Sequence, residues 1–148
     1  MESKYDSLTL KNQLCFPIYL CSKEIIHKYT PLLEKLDLTY TQYIVMMYFW
    51  EKHSSNVKEL SQALLLDSGT LTPLLKKLEK KGYITRVRST KDERNLEVTI
   101  TEKGINLKEE ALAIPDSMAK CIDLSDKEIE MLYSLIYKVL LNVLKEEK

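Results

Sequence analysis

A chain of 148 residues with 45% hydrophobic content can bury one packed core and is too apolar for wholesale disorder. Three glycines and four prolines, set against many Leu, Lys, Glu and Ile, lean towards a mostly helical protein. The charges cancel, 22 basic against 22 acidic, and three cysteines without CxxC spacing argue against both a disulfide scaffold and a zinc site.

The start, MESKYDSLTL, has no sustained apolar run, so no signal peptide is expected. From about Lys11 to Leu36 the residues Leu14, Ile18, Ile25, Tyr29, Leu32 and Leu36 fall near helical spacing. Pro17 lacks an N–H and clashes one turn back in a helix interior. Either the regular helix begins close to Cys15, with Pro17 in its first turn, or it kinks there. Both place Cys15 at an irregular or N-terminal turn. Pro31 suggests a second bend.

Thr39-Tyr40-Thr41-Gln42 is a capping-box pattern that opens a helix of about ten residues. Its apolar run, IVMMYFW at 44–50, implies deep burial and is far too short to cross a bilayer. A cytoplasmic location is expected, where thiols stay reduced. Asn56-Val57-Lys58-Glu59 opens a short helix, VKELSQAL. Asp67-Ser68-Gly69 follows, then a helix from about Thr70 to Lys81 with Leu71, Leu74, Leu75 and Leu78 facing inward. Gly82 is placed to end it in a left-handed cap.

After Gly82 the period changes to two. Residues 83–88 (YITRVR) and 96–101 (LEVTIT) alternate and are rich in β-branched side chains, with the polar segment 89–95 between them. This is a β-hairpin with a charged tip. Short helix, turn, helix and hairpin make a winged helix-turn-helix over about 39–101. Helices resume after Thr101, with Pro115 interrupting. Ser125-Asp126-Lys127-Glu128 is a capping box, and Ile129, Leu132, Ile136, Val139 and Val143 follow in heptad steps. That seam is expected to meet a second subunit. The chain therefore reads as one domain, 1–148, mostly α with a small β-hairpin wing. Dimerisation helices are expected at about 1–36 and 102–148.

Charge is segregated along this framework. From Ser68 to Arg94 eight basic residues face three acids, so the window carries 8 − 3 = +5 and the remainder −5. A basic segment in a neutral chain is the footprint of a polyanion-binding face. In a helix-turn-helix the second helix enters the major groove and its N-terminal residues reach base edges. Here those are Ser68, Thr70, Thr72 and Pro73, with Lys76 and Lys77 one turn on and suited to phosphates. Arg86 and Arg88 extend the basic face along the first strand. Arg94 at the hairpin tip suits a narrow minor groove, with Asp92 beside it to orient the guanidinium.

The run LDSGTLTPLLKKLEKKGYITRVRSTKDERNLEVTITEKG resembles the winged-helix core of the MarR family of dimeric bacterial repressors. Its commonest markers are the DxR pattern (Asp92, Arg94) and a TxxG after the second strand (Thr101 to Gly104). NQLCFPIY ahead of the first long helix and the DSGTLTP entry to the recognition helix are similar to the OhrR-type hydroperoxide sensors and the SarZ-type thiol regulators. The resemblance covers essentially the whole chain.

It implies a role for Cys15. A free cysteine is most often a small buried hydrophobe, but in these relatives the matching thiol is attacked by organic hydroperoxide or a related oxidant. Thiolate, not thiol, is the nucleophile. Lys11 and the first-turn amides of a helix could stabilise it. In the family tyrosines beside the cysteine, partly from the partner subunit, do so by donating hydrogen bonds. They match Tyr19, Tyr29 and Tyr40. Cys21, six residues on, turns away from Cys15 along a helix and reads as packing. Cys121 lies in the irregular stretch before the last helix, near where two-cysteine members carry a resolving cysteine. The resemblance thus implies a homodimer on a pseudo-palindromic duplex, released when Cys15 is oxidised, with no cofactor, metal or membrane. A regulator gated by a small phenolic ligand in the dimer cleft is the alternative. A thiol peroxidase is weaker, since no second constellation for turnover is present and the wing would be unexplained.

Overall fold

The computed structural model describes residues 4–88 and 96–146. Two short 3-10 turns, Asp6–Leu8 and Leu10–Asn12, precede helix α1 (Cys15–Glu34). There follow α2 (Tyr40–Lys52), β1 (Ser54–Asn56), α3 (Val57–Leu64), α4 (Ser68–Lys80), β2 (Ile84–Arg88) and β3 (Leu96–Ile100). The chain ends in α5 (Glu102–Ala111), α6 (Ala113–Ile122) and α7 (Asp126–Glu146). Two compact units divide the chain after Ile114. No helix among the described residues is long and apolar enough to cross a membrane.

The first unit is built around α2. Val45, Met46 and Phe49 of that helix are fully buried together with Leu33 of α1, Leu60 of α3, Leu71, Leu75 and Leu78 of α4, and Ile84 and Val98 of the sheet. Both halves of the Thr39 capping box form: the Gln42 N–H donates to Thr39 Oγ1 at 3.3 Å, and the Thr39 N–H to Gln42 Oε1 at 3.1 Å. Asn56 caps α3 through a 2.9 Å bond from the Glu59 N–H. The four inward leucines of α4 are all buried, as their spacing requires. Gly82 (φ 79°) ends α4 in a full Schellman motif: the Tyr83 N–H donates to the Leu78 carbonyl (3.1 Å) and the Gly82 N–H to the Glu79 carbonyl (2.8 Å).

The hairpin carries a third strand that no sequence pattern announces. β1 is the polar tripeptide SSN, too short for any alternation, and it pairs antiparallel with β3, Ser55 opposite Val98. The sheet order is β1-β3-β2, with Ile84 opposite Ile100 and Arg88 opposite Leu96. The segment between β2 and β3, with Asp92 and Arg94, lies outside the described residues.

Thr101 closes the sheet onto α5. Its Oγ1 accepts from the Gly104 N–H (3.1 Å) and donates to the Gly82 carbonyl (2.6 Å), and its N–H reaches the Tyr83 carbonyl (3.0 Å). The Trp50 indole N–H donates to the Gly104 carbonyl at 2.8 Å. The TxxG pair is thus the joint between the Gly82–Tyr83 turn and α5.

One open alternative is resolved and two expectations change. The first helix starts at Cys15, with Pro17 in its first turn where a missing N–H costs least, and it runs on through Pro31. Its expected inner face is only partly inside: Leu14, Ile18 and Ile25 are exposed, and Leu33 rather than Leu32 is buried. Periodicity found the helix but not the core side, since among the described residues most of α1 is exposed. Cys121 is not in an irregular stretch. It occupies the last turn of α6, which Pro115 enters in its first turn and therefore permits rather than breaks.

In the second unit the Ser125 N–H donates to the Glu128 carboxylate at 2.9 Å, half of the expected capping box, while the Ser125 hydroxyl donates to the same carboxylate. The heptad residues Ile129, Leu132, Ile136, Val139 and Val143 are 43–54% exposed, so the single chain leaves an apolar stripe in water.

Candidate DNA-binding face and thiol site

The turn between α3 and α4 is set by backbone geometry. Leu65 adopts the left-handed region (φ 51°) and ends α3, and the Ser61 hydroxyl donates to the Leu66 carbonyl at 2.6 Å. Asp67 then caps α4, its carboxylate accepting from the Thr70 N–H (2.9 Å) and the Thr70 hydroxyl (3.0 Å). Those two bonds hold the Asp67 carboxyl below the usual carboxylate range, so it is ionised at neutral pH. Sequence reasoning missed this role, although Asp followed at the third position by Thr signals it.

With the leucines inside, the outer face of α4 presents Ser68, Thr70, Thr72, Pro73, Lys76 and Lys77, all exposed. The structure brings these six together on one helix, at the end and face a major groove can reach. Thr70 is more specific than an ordinary hydroxyl. Its single proton is committed to Asp67, since a carboxylate only accepts, so its remaining lone pairs offer an acceptor alone. Acceptors in the major groove read the amino groups of adenine or cytosine. Thr70→Val, similar in shape without the lone pairs, is expected to lose about 1–3 kcal/mol of discrimination at one base pair. Selection from randomised duplexes checks this. Unchanged preference at every position would remove Thr70 from readout.

Arg86 departs from the expectation. Its Nε and an Nη donate to Glu79 Oε2 at 3.0 and 2.7 Å, and its backbone N–H to Oε1 at 3.1 Å. The guanidinium pulls the Glu79 carboxyl below its usual range. Arg86 therefore ties β2 to α4 rather than facing a polyanion. Glu79, which composition counts only as an opposing charge, is the partner that decides this. Arg88 is exposed at the end of β2.

The thiols lie elsewhere. Cys15 is the first residue of α1 and is exposed, with Tyr19 one turn on, also exposed. An open hollow of about 550 Å³ lies against the same turn, lined by Lys11, Leu14, Phe16 and Pro17 among others. Tyr29 and Tyr40 are brought together, ring centroids 4.9 Å apart, with Tyr43 at 5.9 Å from Tyr29. Burial and then the neighbouring phenols push Tyr29 up from its ordinary value, which keeps it a hydrogen-bond donor. It does not meet Cys15 of its own chain: fourteen residues of α1 at about 1.5 Å each separate them by about 21 Å. Cys21 and Cys121 are free and exposed. Cys21, read as packing, is exposed among the described residues of the single chain.

The chain matches the family described as transcriptional regulator SarA/Rot over residues 27–111. It is 44% identical over 140 residues to the organic hydroperoxide resistance transcriptional regulator of Bacillus subtilis, covering 95% of each chain. It is 50% identical over 133 residues to the HTH-type transcriptional regulator SarZ of Staphylococcus haemolyticus, 90% of each. Among solved structures, reduced AbfR bound to DNA matches with TM-score 0.77 at 31% identity, covering 96% of this chain and 99% of that one. Overoxidised AbfR bound to DNA gives 0.76 at 32%, covering 95% and 99%, and disulfide-formed AbfR 0.64 at 31%, covering 93% and 96%. A mutant MarR from Escherichia coli complexed with operator DNA shares the fold, with TM-score 0.80 at 24% identity over 94% of this chain and 99% of that one.

Proposed function

Because the chain belongs to the SarA/Rot family of transcriptional regulators, with the winged-helix fold of MarR, we propose that it is a dimeric DNA-binding repressor released from its operator when Cys15 is oxidised by an organic hydroperoxide or related oxidant. The observation that carries this reading is the exposed Cys15 thiol at the first turn of α1, in a chain so similar throughout to a hydroperoxide-resistance regulator. The protein acts in the cytoplasm, on DNA, and as a regulator rather than an enzyme.

In the reduced state two α4 helices meet successive major grooves of a pseudo-palindromic duplex, about 10 bp or a multiple apart. Lys76 and Lys77 hold phosphates, and the wing residues Arg88, Asp92 and Arg94 approach the adjacent groove. The apolar stripe of α7 is covered by the second subunit. The Cys15 thiolate attacks the outer oxygen of the hydroperoxide, the O–O bond breaks, and sulfenic acid and an alcohol result. Tyr19 lies within one turn of that sulfur. Tyr29 and Tyr40 can serve it only from the other subunit, since about 21 Å separates Cys15 from Tyr29 along one helix.

A second step fixes the off state. Overoxidised AbfR is seen bound to DNA. A disulfide serves better here: the Cys121 thiol of the other subunit attacks the Cys15 sulfenic acid and water leaves. The bridge needs Cα atoms within about 7 Å, so its formation moves the chain if the reduced distance is longer.

Titration of the DNA-bound wild-type protein with an alkyl hydroperoxide tests the reading, followed by fluorescence anisotropy. Loss of binding at about one equivalent per subunit, restored by dithiothreitol, is expected. The same samples should show a reducible dimer on electrophoresis that Cys121→Ser abolishes. Unlimited consumption of hydroperoxide without loss of binding would make the protein a peroxidase instead.

A further inference from the structure

Lys81 belongs to the basic segment, yet its charge is turned inward. It is the C-cap residue of α4 and its side chain is only 24% exposed. The ammonium donates to the Asp37 backbone carbonyl, lies 3.2 Å from the Asp37 carboxylate, and reaches Gln42 Oε1 at 3.3 Å. An ammonium has three N–H groups, and here three acceptors engage them. None is left for a phosphate.

All three acceptors sit where α1 hands over to α2. Asp37 adopts the left-handed region (φ 52°) just past α1, where its N–H donates to the Glu34 carbonyl and the Leu38 N–H to the Leu33 carbonyl, both at 3.0 Å. Gln42 Oε1 is the same atom that accepts from the Thr39 N–H in the capping box of α2. A second tie runs alongside: the buried Tyr83 donates its hydroxyl to the Leu36 carbonyl at 3.4 Å. Two consecutive carbonyls at the end of α1 are therefore gripped by Lys81 and Tyr83, which flank the Gly82 turn ending α4. From α5, Lys103 holds this grip in place, donating to the Lys81 carbonyl at 2.7 Å with its ammonium 4.9 Å from the Tyr83 ring centroid.

The other end of α1 is Cys15. The helix between is 20 residues, about 30 Å long, and it stays helical through Pro31, which omits one hydrogen bond of the ladder. Coupling between distant sites is carried by rigid elements joined at specific contacts. Resting on the redox reading above, we propose that Lys81 is the positioning residue through which a displacement of α1, begun at Cys15, is delivered to α4. It does not touch the reacting sulfur or the DNA.

Lys81→Met keeps the length and apolar stem of the side chain and removes all three donors. Three quantities are compared with wild type: operator affinity when reduced, rate of thiol loss to an alkyl hydroperoxide, and operator affinity when oxidised. The reduced variant should bind within about threefold of wild type and lose its thiol at the wild-type rate. The factor by which oxidation weakens binding should fall by about tenfold, inside the 5–150-fold range of allosteric couplings. Asp37→Asn, which tolerates the left-handed cap and removes the ion pair, should give a smaller loss of coupling, and it carries the comparison should Lys81→Met be too unstable to assay. Release on oxidation indistinguishable from wild type in both variants overturns the proposal. So does a reduced Lys81→Met that has lost its operator with a shallower salt dependence, because Lys81 would then be a phosphate contact. Wild-type protein that stays bound with Cys15 oxidised would instead remove the redox reading itself, and this inference with it.

Discussion

A Cys15→Ser chain is expected to hold its operator with wild-type affinity and to keep holding it through a hydroperoxide challenge that strips the parent protein from DNA. Serine reproduces the shape of cysteine, and at an exposed first-turn position no packing is lost. What disappears is the nucleophile, since an unactivated hydroxyl does not attack a peroxide at neutral pH. In the parent chain oxidation should weaken binding by a factor in the 5–150-fold range that such couplings span, and in Cys15→Ser that factor should be about one. Anisotropy on a labelled operator, before and after the oxidant, measures both. The control is demanding because Cys21 and Cys121 are also exposed and remain available to react. Dissociation of Cys15→Ser on oxidation would transfer the sensor role to one of them.

The second large effect concerns folding. Gly104→Ala replaces a poor helix former by the best one, which in an open helix would stabilise by about 1 kcal/mol. Here space decides otherwise. A Cβ on residue 104 would fall inside the van der Waals radius of the Tyr83 carbonyl oxygen and lie 2.8 Å from Ile100 Cγ1 and 3.1 Å from the Tyr83 carbonyl carbon. That carbonyl cannot simply retreat, because it accepts from the Thr101 N–H at 3.0 Å. Nor can α5 shift freely, since the Trp50 indole holds the Gly104 carbonyl. Overpacking against fixed neighbours costs about 1–3 kcal/mol and occasionally more. The closeness of the Tyr83 oxygen puts the cost at the top of that range, so with the propensity gain set against it a net loss of about 2 kcal/mol is expected, or roughly 4–8 °C in Tm for a domain of this size. Calorimetry decides. A Tm at or above wild type would mean that α5 can slide off the Gly82–Tyr83 turn without penalty.

The helix-turn-helix was legible because its signals are local. Caps at Thr39 and Asn56, four leucines at helical spacing and Gly82 after them each act within a few residues, and the structure realises every one. What stayed hidden depends on distant partners. β1 has no pattern of its own and exists because β3 offers it an edge. Arg86 looks like a phosphate ligand until Glu79, seven residues back, claims it. Lys81 is one lysine among several until Asp37 and Gln42, some 40 positions earlier, surround it. The inner face of α1 misled for a related reason. Its period is that of a buried helix, but among the described residues burial is found near Leu33 and Leu36 while Leu14, Ile18 and Ile25 are exposed. The thiol site rests on its motif rather than on local physics, because Tyr29 and Tyr40 lie together while Cys15 stands a helix length away with Tyr19.

That separation has a kinetic consequence. If the Tyr29–Tyr40 pair that activates a thiol always belongs to the other copy, an unpaired chain is slow to react as well as unable to grip two half-sites. Oxidant would then be spent only on molecules already assembled for repression, and newly made chains would pass through a refractory period before pairing. In dilute solution the initial rate of thiol loss should rise with the square of protein concentration and become linear once the protein is mostly dimer. Sensitivity to peroxide would thereby be set partly by how much of the protein the cell keeps.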